Sequence, residues 1–331
     1  MSDHDSDASS DDGGLFGSIG FMFDTAQEKI SKDFQLTIDF PPSIIFAQQQ
    51  QADQKSLLNS IEVNISLYII DDDPGHVISG QYLWPAAYSL SRYLMLHWHD
   101  TILPSITTCQ HQVGQSSPPV VVELGSGVGM CGQFLAKFFQ DIIKKKDTTT
   151  NTLTTAPKVI LTDYDPGCLE MLSDNIELNH LQEGCQVARV EWGKTLTDVF
   201  EIAHNVDSDG SNCTSPFLVI GSDLLYCVSV VKPLFTTVHS MLTLSTPSTL
   251  FSAPGYDETH GIESSNMKGG VKAGDGGGLF ILASSFDIGE DVQCEVNDCC
   301  IELGLQQVEL QPLDLSDTEK QYRIQYFSIL S

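Results

Sequence analysis

Apolar residues recur along this chain in two patterns, short runs typical of buried strands and longer stretches with helical spacing. Five runs have the continuous apolar character of strands covered on both faces. They are VVVEL at 120–124, KVILTD at 158–163, CQVARVEW at 185–192, PFLVIGSDLLY at 216–226 and LFILAS at 279–284. Spacings of three and four mark helix faces at Leu90 and Leu94, Phe134 and Phe138, Leu172 and Ile176, and Leu234 and Val238. Strands that alternate with helices predict a doubly wound, mostly parallel sheet.

The carboxyl-terminal part adds a different pattern. A helix over about 290–303 is followed by Gly304, a residue type that often ends helices. Two further strand-like runs, QQVEL and YRIQYFSIL, flank a polar turn, and such a pair is typical of antiparallel strands. The sequence therefore predicts one α/β domain with a Rossmann-like sheet of seven strands and an antiparallel strand near one edge.

Upstream of this domain, two β-rich segments at 34–40 and 61–70 predict an amino-terminal hairpin. The first residues are rich in Asp, Ser and Gly and predict a disordered acidic tail. Two unpatterned stretches, one rich in Thr and one in Gly and Ser, predict insertions. The expected organisation is a tail at 1–30, a β-rich extension at 31–75, and a main domain at 76–331 with insertions near 144–157 and 245–278.

The composition of the chain argues against some classes of function. The 44 acidic and 16 basic side chains give a formal charge of -28, the wrong sign for a protein that binds nucleic acid through phosphate contacts. The acidic surface would instead attract a basic protein partner. The nine cysteines form no CxxC pair, so neither a disulfide framework nor a metal site is predicted. With no signal sequence and no long apolar run, we expect a cytoplasmic or nuclear protein away from membranes, a monomer or in transient complex with its substrate.

The run ELGSGVG at 123–129 is the sharpest chemical signal. Glycines at the end of a strand let the backbone approach a ligand closely, and the helix that follows presents free N–H groups. The spacing can also be read as GxGxxG at Gly127, Gly129 and Gly132, which leaves a nicotinamide cofactor open.

Two acidic residues favour a different cofactor. Glu123 precedes the glycines, where it would repel a pyrophosphate but attract an ammonium group. Asp163 ends the second strand, the position from which an acidic residue accepts hydrogen bonds from ribose hydroxyls. A ribose and an ammonium group without a diphosphate describe S-adenosylmethionine.

These motifs, taken together, resemble those of the seven-strand S-adenosylmethionine-dependent methyltransferases. Within that group the chain is similar to methyltransferase family 16, whose members are largely protein-lysine methyltransferases, over about residues 60–331. The resemblance rests on GQYLWPAA, VVVELGSGVG, VILTDYDP, VEWG and SDLLY. It implies a methyltransferase sheet, S-adenosylmethionine as cofactor, and a protein substrate methylated on lysine.

The resemblance also implies residue roles. The methionine part of the cofactor would be surrounded by Glu123, Gly125, Gly127 and Gly129. Asp163 would bind the ribose, Trp84 would line the pocket, and the adenine would lie by Glu191 and Trp192. Asp223 and Tyr226 would stand between cofactor and substrate as catalytic residues. The chain departs from the family after the fifth strand, where many members have an Arg and this sequence reads Ser284, Ser285, Phe286.

The chemistry suits these assignments. A lysine ammonium has no lone pair, so Asp223 would orient it or pass its proton to water, and Tyr226 would bound the lysine channel. Asp223 as a cap and Tyr226 as a packing residue is the structural alternative. Other acceptors, a histidine, a protein amino terminus or a small molecule, stay open. So do a catalytically silent methyltransferase-like interaction module and a Rossmann oxidoreductase.

Overall fold

The computed structural model describes residues 30–39, 60–69, 79–104, 119–144, 156–203, 217–244, 278–310 and 323–329. Its strands are β1 Ile30–Asp39, β2 Ser60–Ile69, β3 Val120–Leu124, β4 Lys158–Asp163, β5 Cys185–Arg189, β6 Phe217–Ser222, β7 Leu279–Ser284, β8 Leu305–Leu310 and β9 Arg323–Ile329. Its helices are α1 Pro85–His97, α2 Met130–Lys144, α3 Pro166–Leu178, α4 Thr197–Ala203, α5 Val228–Leu244 and α6 Glu290–Leu303. None of the helices in these ranges is long and apolar enough to cross a membrane.

Seven strands form one sheet in the order β5-β4-β3-β6-β7-β9-β8. Strands β3 to β7 are parallel, and β9 pairs antiparallel with both β7 and β8. The sheet is thus the doubly wound Rossmann-like sheet that the alternation of strands and helices predicts, with its antiparallel strand next to one edge. Because β3 and β6 are neighbours, the winding direction reverses between them.

Alternate residues of each central strand face two separate cores. Val121 and Val159 point towards α1, α2 and α3, whereas Val122 and Ile160 point towards α4, α5 and α6. All four side chains are fully buried. Burial on both faces explains why these strands are continuous apolar runs in the sequence.

The amino-terminal hairpin is confirmed. Strands β1 and β2 pair antiparallel over ten residue pairs, and together they form a second, two-stranded sheet. Ile38, Ile61, Val63 and Ile65 are buried and join the core on the α1–α3 side, where β2 packs against α2 and α3. The hairpin is therefore packed against the helix layer of the main sheet.

Local signals at helix ends are also confirmed. Helix α3 begins with Pro166 after Asp165, whose Oδ1 accepts a hydrogen bond from the amide of Cys168 at 2.9 Å. Helix α6 ends at Gly304, which has the left-handed φ of 62° typical of a residue after a helix.

Two strand ends were wrong in the sequence-based prediction. Strand β5 ends at Arg189 rather than 192, because the chain enters a turn in which the amide of Lys194 donates to the carbonyl of Glu191 at 3.1 Å. Strand β6 ends at Ser222 rather than 226, because Asp223 has a φ of 56°, outside the extended region. The short helix α4 was not predicted. The predicted tail at 1–30 and the insertions near 144–157 and 245–278 lie almost wholly outside the described residues.

Candidate functional site

The parallel strands end at one edge of the sheet, and the residues that follow them form the candidate site. Ligands of open α/β sheets bind in the crevice where the winding direction reverses, beyond the carboxyl ends of the strands. In this sheet that crevice lies beyond Leu124 of β3 and Ser222 of β6. The predicted site residues follow or face this edge, except Glu123, which lies within β3.

The glycine loop after β3 has a backbone that requires glycine. Gly125, Gly127 and Gly129 have φ values of 57°, 53° and 77°, in the left-handed region. A β-carbon at Gly125 would lie 2.8 Å from a methyl group of Leu224, and one at Gly127 would collide with the carbonyl oxygen of Gly80. The loop is therefore a tight cradle, packed against Leu224 and Gly80, in which a β-carbon at either glycine has no room.

Hydrogen bonds to β4 fix the position of this loop. The amide of Ser126 donates to the carbonyl of Thr162 at 2.8 Å, and the amide of Thr162 donates back to Ser126 Oγ at 2.9 Å. These bonds extend the pairing of β3 and β4 into the loop. The cradle is thus attached to the strand that ends in Asp163.

The Asp163 carboxylate binds the backbone at three points. Its Oδ2 accepts a hydrogen bond from the amide of Gly127 at 3.1 Å, and its Oδ1 accepts from the amides of Tyr164 at 2.8 Å and Asp165 at 3.0 Å. Burial raises its pKa, whereas these three bonds lower it. A carboxylate offers about four acceptor positions, so one stays available for a ligand hydroxyl.

Glu123 lies beneath the loop. Its side chain is 2% exposed, and Oε2 accepts a hydrogen bond from the amide of Gly132 at 2.8 Å. Burial raises its pKa to about 8, while hydrogen bonds from Gly132 and Ser126 oppose the shift and the charge of Asp163 adds to it. The carboxyl group therefore ties β3 to the first turn of α2, and contact with a cofactor ammonium stays a prediction.

Residues 79–86 cross the edge of the sheet from the glycine loop to β6. At one end Gly80 packs against Gly127, and at the other the amide of Ala86 lies 3.4 Å from Oδ2 of Asp223. Trp84, half-buried, precedes α1 between these two points, and its carbonyl accepts from the amide of Ala87 at 3.1 Å. This segment places Trp84 at the same edge of the sheet as the glycine loop. A residue that lines the site has to lie at this edge.

Asp223 connects three elements. Its Oδ1 accepts from the amide of Ser285 at 2.6 Å, and its Oδ2 accepts from Ser285 Oγ at 2.8 Å and, more weakly, from Ala86. The residue is 7% exposed. Burial raises the pKa of its carboxyl group, although the hydrogen bonds from Ser285 and Ala86 lower it in part. Asp223 therefore joins the residue after β7 and the first turn of α1 to the end of β6, and it does not cap the segment that follows it, which was the structural alternative. Its role in catalysis stays a prediction.

Tyr226 does not pack into the end of the sheet, since 62% of its surface is exposed. Its pKa is raised by partial desolvation and then by the nearby Cys227, Tyr164 and Asp163. Tyr164, immediately after β4, is 53% exposed. The chain turns after Asp223, and the exposed ring of Tyr226 thereby comes near Asp163 and Tyr164.

The segment after β5 supplies the far side of the cradle. The ring of Trp192 is half-buried and would lie 3.1 Å from a β-carbon at Gly125. The amide of Gly193 donates to Thr237 Oγ1 at 2.8 Å, which holds this segment against α5. Glu191 is exposed. The structure thus places Trp192 beside the glycine loop, and adenine binding by Glu191 and Trp192 stays a prediction.

Three residues of this edge were missed in the sequence. Gly80 belongs to the quoted GQYLWPAA motif, but no local pattern shows that it packs against Gly127. Ser285 stands where the family departure was noted, and it holds Asp223. Tyr164 is the first residue after a parallel strand, a position that could have marked it. Within the described ranges, no three His, Cys, Asp or Glu side chains are grouped to hold a metal ion.

Comparison with known proteins finds a matching family and similar chains. A family model described as lysine methyltransferase matches residues 62–255. The chain is 23% identical over 167 residues to the histone-arginine methyltransferase METTL23 of Rattus norvegicus, which covers 50% of this chain and 56% of that relative. It is 28% identical over 214 residues to the protein N-terminal and lysine N-methyltransferase EFM7 of Cryptococcus neoformans, covering 60% and 56%.

The chain thus spans about half the length of the curated relatives it matches. Among solved structures, a methyltransferase from Pyrococcus furiosus aligns with a TM-score of 0.34 and 14% identity, over 68% of this chain and 83% of that one.

Proposed function

Because the chain belongs to the lysine methyltransferase family whose model spans residues 62–255, we propose that it transfers a methyl group from S-adenosylmethionine to a nitrogen atom of a protein. A lysine amine is the first candidate acceptor. The observation that carries the proposal is the backbone cradle at Gly125–Gly129, joined by a hydrogen bond to the carboxylate of Asp163.

The residues present fit this cofactor. Gly125 and Gly127 carry no side chain, so a ligand can approach the backbone of the loop closely. Asp163 has an acceptor position left for a ribose hydroxyl, and Trp192 offers an apolar ring beside the loop. A phosphate ligand suits the site less, because the carboxyl group of Asp163 stands beside the loop.

S-adenosylmethionine, when bound, supplies an electrophilic methyl group. The chain must hold an uncharged amine in line with that group, because holding two reactants in the right geometry supplies much of the rate acceleration. Asp223 at the edge of β6 can accept a hydrogen bond from an incoming ammonium with the acceptor position that its three bonds leave, and the ammonium then passes its proton to water and becomes the uncharged amine. Tyr226, 62% exposed, can place its ring against the substrate side chain.

The acceptor class rests on the family and on charge. Lysine carries a positive charge that an acidic surface attracts, and the chain has a formal charge of -28. We therefore propose a basic segment of a protein as substrate. Arginine is a second candidate, because one relative is named a histone-arginine methyltransferase.

The test is methyl transfer by the full chain. Purified protein, incubated with radiolabelled S-adenosylmethionine and a cell lysate, should label discrete protein bands, and mass spectrometry of those bands should give a methylated lysine. The Asp163→Ala variant is the control and should label nothing above background. Calorimetry supplies the contradicting outcome: binding of NADH without binding of S-adenosylmethionine would overturn the proposal in favour of the oxidoreductase alternative.

A further inference from the structure

Two asparagines bind strand β2 of the hairpin: Asn175 in the last turn of α3, and Asn179, which follows the end of that helix. Asn175 accepts a hydrogen bond from the amide of Ser66 at 2.7 Å and donates to its carbonyl at 3.2 Å. Asn179 does the same with Asn64, at 2.8 Å and 2.7 Å. A side-chain amide carries a donor and an acceptor, as a peptide group does. Four residues along a helix and two along a strand span similar distances, about 6 to 7 Å, so the two amides match the strand edge.

The same two amides reach the glycine loop. Asn175 Nδ2 also lies 3.3 Å from the carbonyl oxygen of Val128, between Gly127 and Gly129. Asn179 Nδ2 donates to Gln133 Oε1 at 2.9 Å, and Gln133 Nε2 donates to the same Val128 carbonyl at 3.1 Å. A continuous set of hydrogen bonds therefore runs from β2 to the middle of the loop.

The three side chains of this set are buried, whereas their bonds to β2 are partly buried. Asn175 and Gln133 are 0% exposed, and Asn179 is 6% exposed. Water cannot readily replace a lost partner at the buried bonds among these side chains and the Val128 carbonyl, so each of those bonds depends on the others being made. If the hairpin leaves α3, Asn175 and Asn179 lose the β2 partners that orient their side chains. The donors to the Val128 carbonyl, Asn175 Nδ2 and Gln133 Nε2, are then no longer fixed in position.

We propose that Asn175, Asn179 and Gln133 are positioning residues that couple the docking of the hairpin to cofactor binding at the glycine loop. The inference rests on the proposed function, since it takes the loop to be the cofactor site. Coupling between two sites is reciprocal. A docked hairpin favours the binding form of the loop, and a bound cofactor holds the hairpin in place.

The first experiment uses the unaltered chain and S-adenosylhomocysteine. Hydrogen exchange, read by mass spectrometry, compares the β2 peptide at 60–69 with the peptide at 305–310, which lies at the far edge of the main sheet. Saturating S-adenosylhomocysteine should slow exchange at 60–69 at least tenfold more than at 305–310. Binding without this difference would overturn the coupling and leave the proposed function standing. Failure to bind at all would overturn the proposed function itself.

Two glutamine variants of α2 then test the route. Gln133→Met removes both the donor to the Val128 carbonyl and the acceptor for Asn179 Nδ2, and it leaves the bonds between the asparagines and β2. Gln140→Met is the matched control, because Gln140 Nε2 donates to the carbonyl of His180 at 3.2 Å, two turns farther along the same helix. Gln133→Met should weaken S-adenosylhomocysteine binding about tenfold and reduce the protection of 60–69, whereas Gln140→Met should change neither. Equal behaviour of the two variants would overturn the assignment.

Discussion

The backbone amide of Gly127 donates a hydrogen bond to Oδ2 of Asp163 at 3.1 Å, across 36 positions of sequence. The bond makes the glycine loop after β3 and the carboxylate after β4 one unit. Each of the two motifs is a weak signal by itself, because glycine turns and strand-terminal acids are common. Their direct bond explains why the two motifs act together as a cofactor site in the proposed function.

Replacing Asp163 should separate this unit. Asp163→Ala removes the acceptor for Gly127 and for a ribose hydroxyl, and we expect S-adenosylhomocysteine affinity to fall by about 2 to 4 kcal/mol, read by calorimetry. Asp165→Ala is the matched control, because Asp165 caps α3 and its loss should cost about 1 kcal/mol of folding stability with little change in affinity. Equal losses of affinity in the two variants would contradict the assignment.

A pair of glycine variants separates backbone strain from collision. Gly127→Ala and Gly304→Ala both place alanine in a left-handed conformation, but a β-carbon meets the Gly80 carbonyl at the first position and nothing within 4 Å at the second. Gly304→Ala should cost about 1 to 2 kcal/mol of stability, measured by denaturant unfolding. Gly127→Ala should also lower S-adenosylhomocysteine affinity about 10²-fold, since it displaces residues 79–86. Wild-type affinity in Gly127→Ala would show that the cradle has room to spare.

Asp223 offers a test of catalysis with little change of shape. Asparagine tolerates the φ of 56° at this position and can still accept from the amide of Ser285. We therefore expect Asp223→Asn to keep cofactor affinity within about threefold and to lower methyl transfer by roughly 10². Ser285→Ala, the control, removes one neutral donor and should lower the rate far less. A wild-type rate in Asp223→Asn would leave Asp223 with its structural bonds to Ser285 and Ala86 alone.

Glu123 predicts a pH dependence of stability. Its pKa is raised from 4.5 to about 8 in the folded chain, so the folded state retains a proton that the unfolded state releases between these values. This contribution is fully present below pH 4.5 and is lost as the pH rises to about 8. Glu123→Gln should remove it, so the variant should gain about 2 to 4 kcal/mol relative to the wild type between pH 5 and pH 8 in denaturant unfolding. If the unfolding free energies of the two proteins changed equally with pH, Glu123 would not be a buried, protonated carboxyl in the folded chain.

Elements with local signals were predictable. Strands β4 and β7 begin and end where KVILTD and LFILAS do, because burial on both faces produces uninterrupted apolar runs. Helix α3 was predicted at its start because Asp165 and Pro166 are local signals for a helix amino terminus. The hydrophobic pattern and the local helix signals therefore predicted these elements of the fold.

The errors have a common physical cause. Leu224 and Leu225 continue the apolar run after β6, but they are buried by a turn and not by a strand. A hydrophobic pattern records burial and does not record the φ of 56° at Asp223. The contact between Ser285 and Asp223 joins residues 62 positions apart, and one sequence gives no sign of such a pairing.

The edge of β2 that bonds to Asn175 and Asn179 affects the behaviour of the chain in concentrated solution. A strand with unpaired amides and carbonyls on its outer side invites strands of other molecules and so promotes aggregation. On β2 the amides and carbonyls of Asn64 and Ser66 are already bonded to Asn179 and Asn175. An incoming strand finds these groups occupied, so α3 shields this hairpin edge from intermolecular β-pairing.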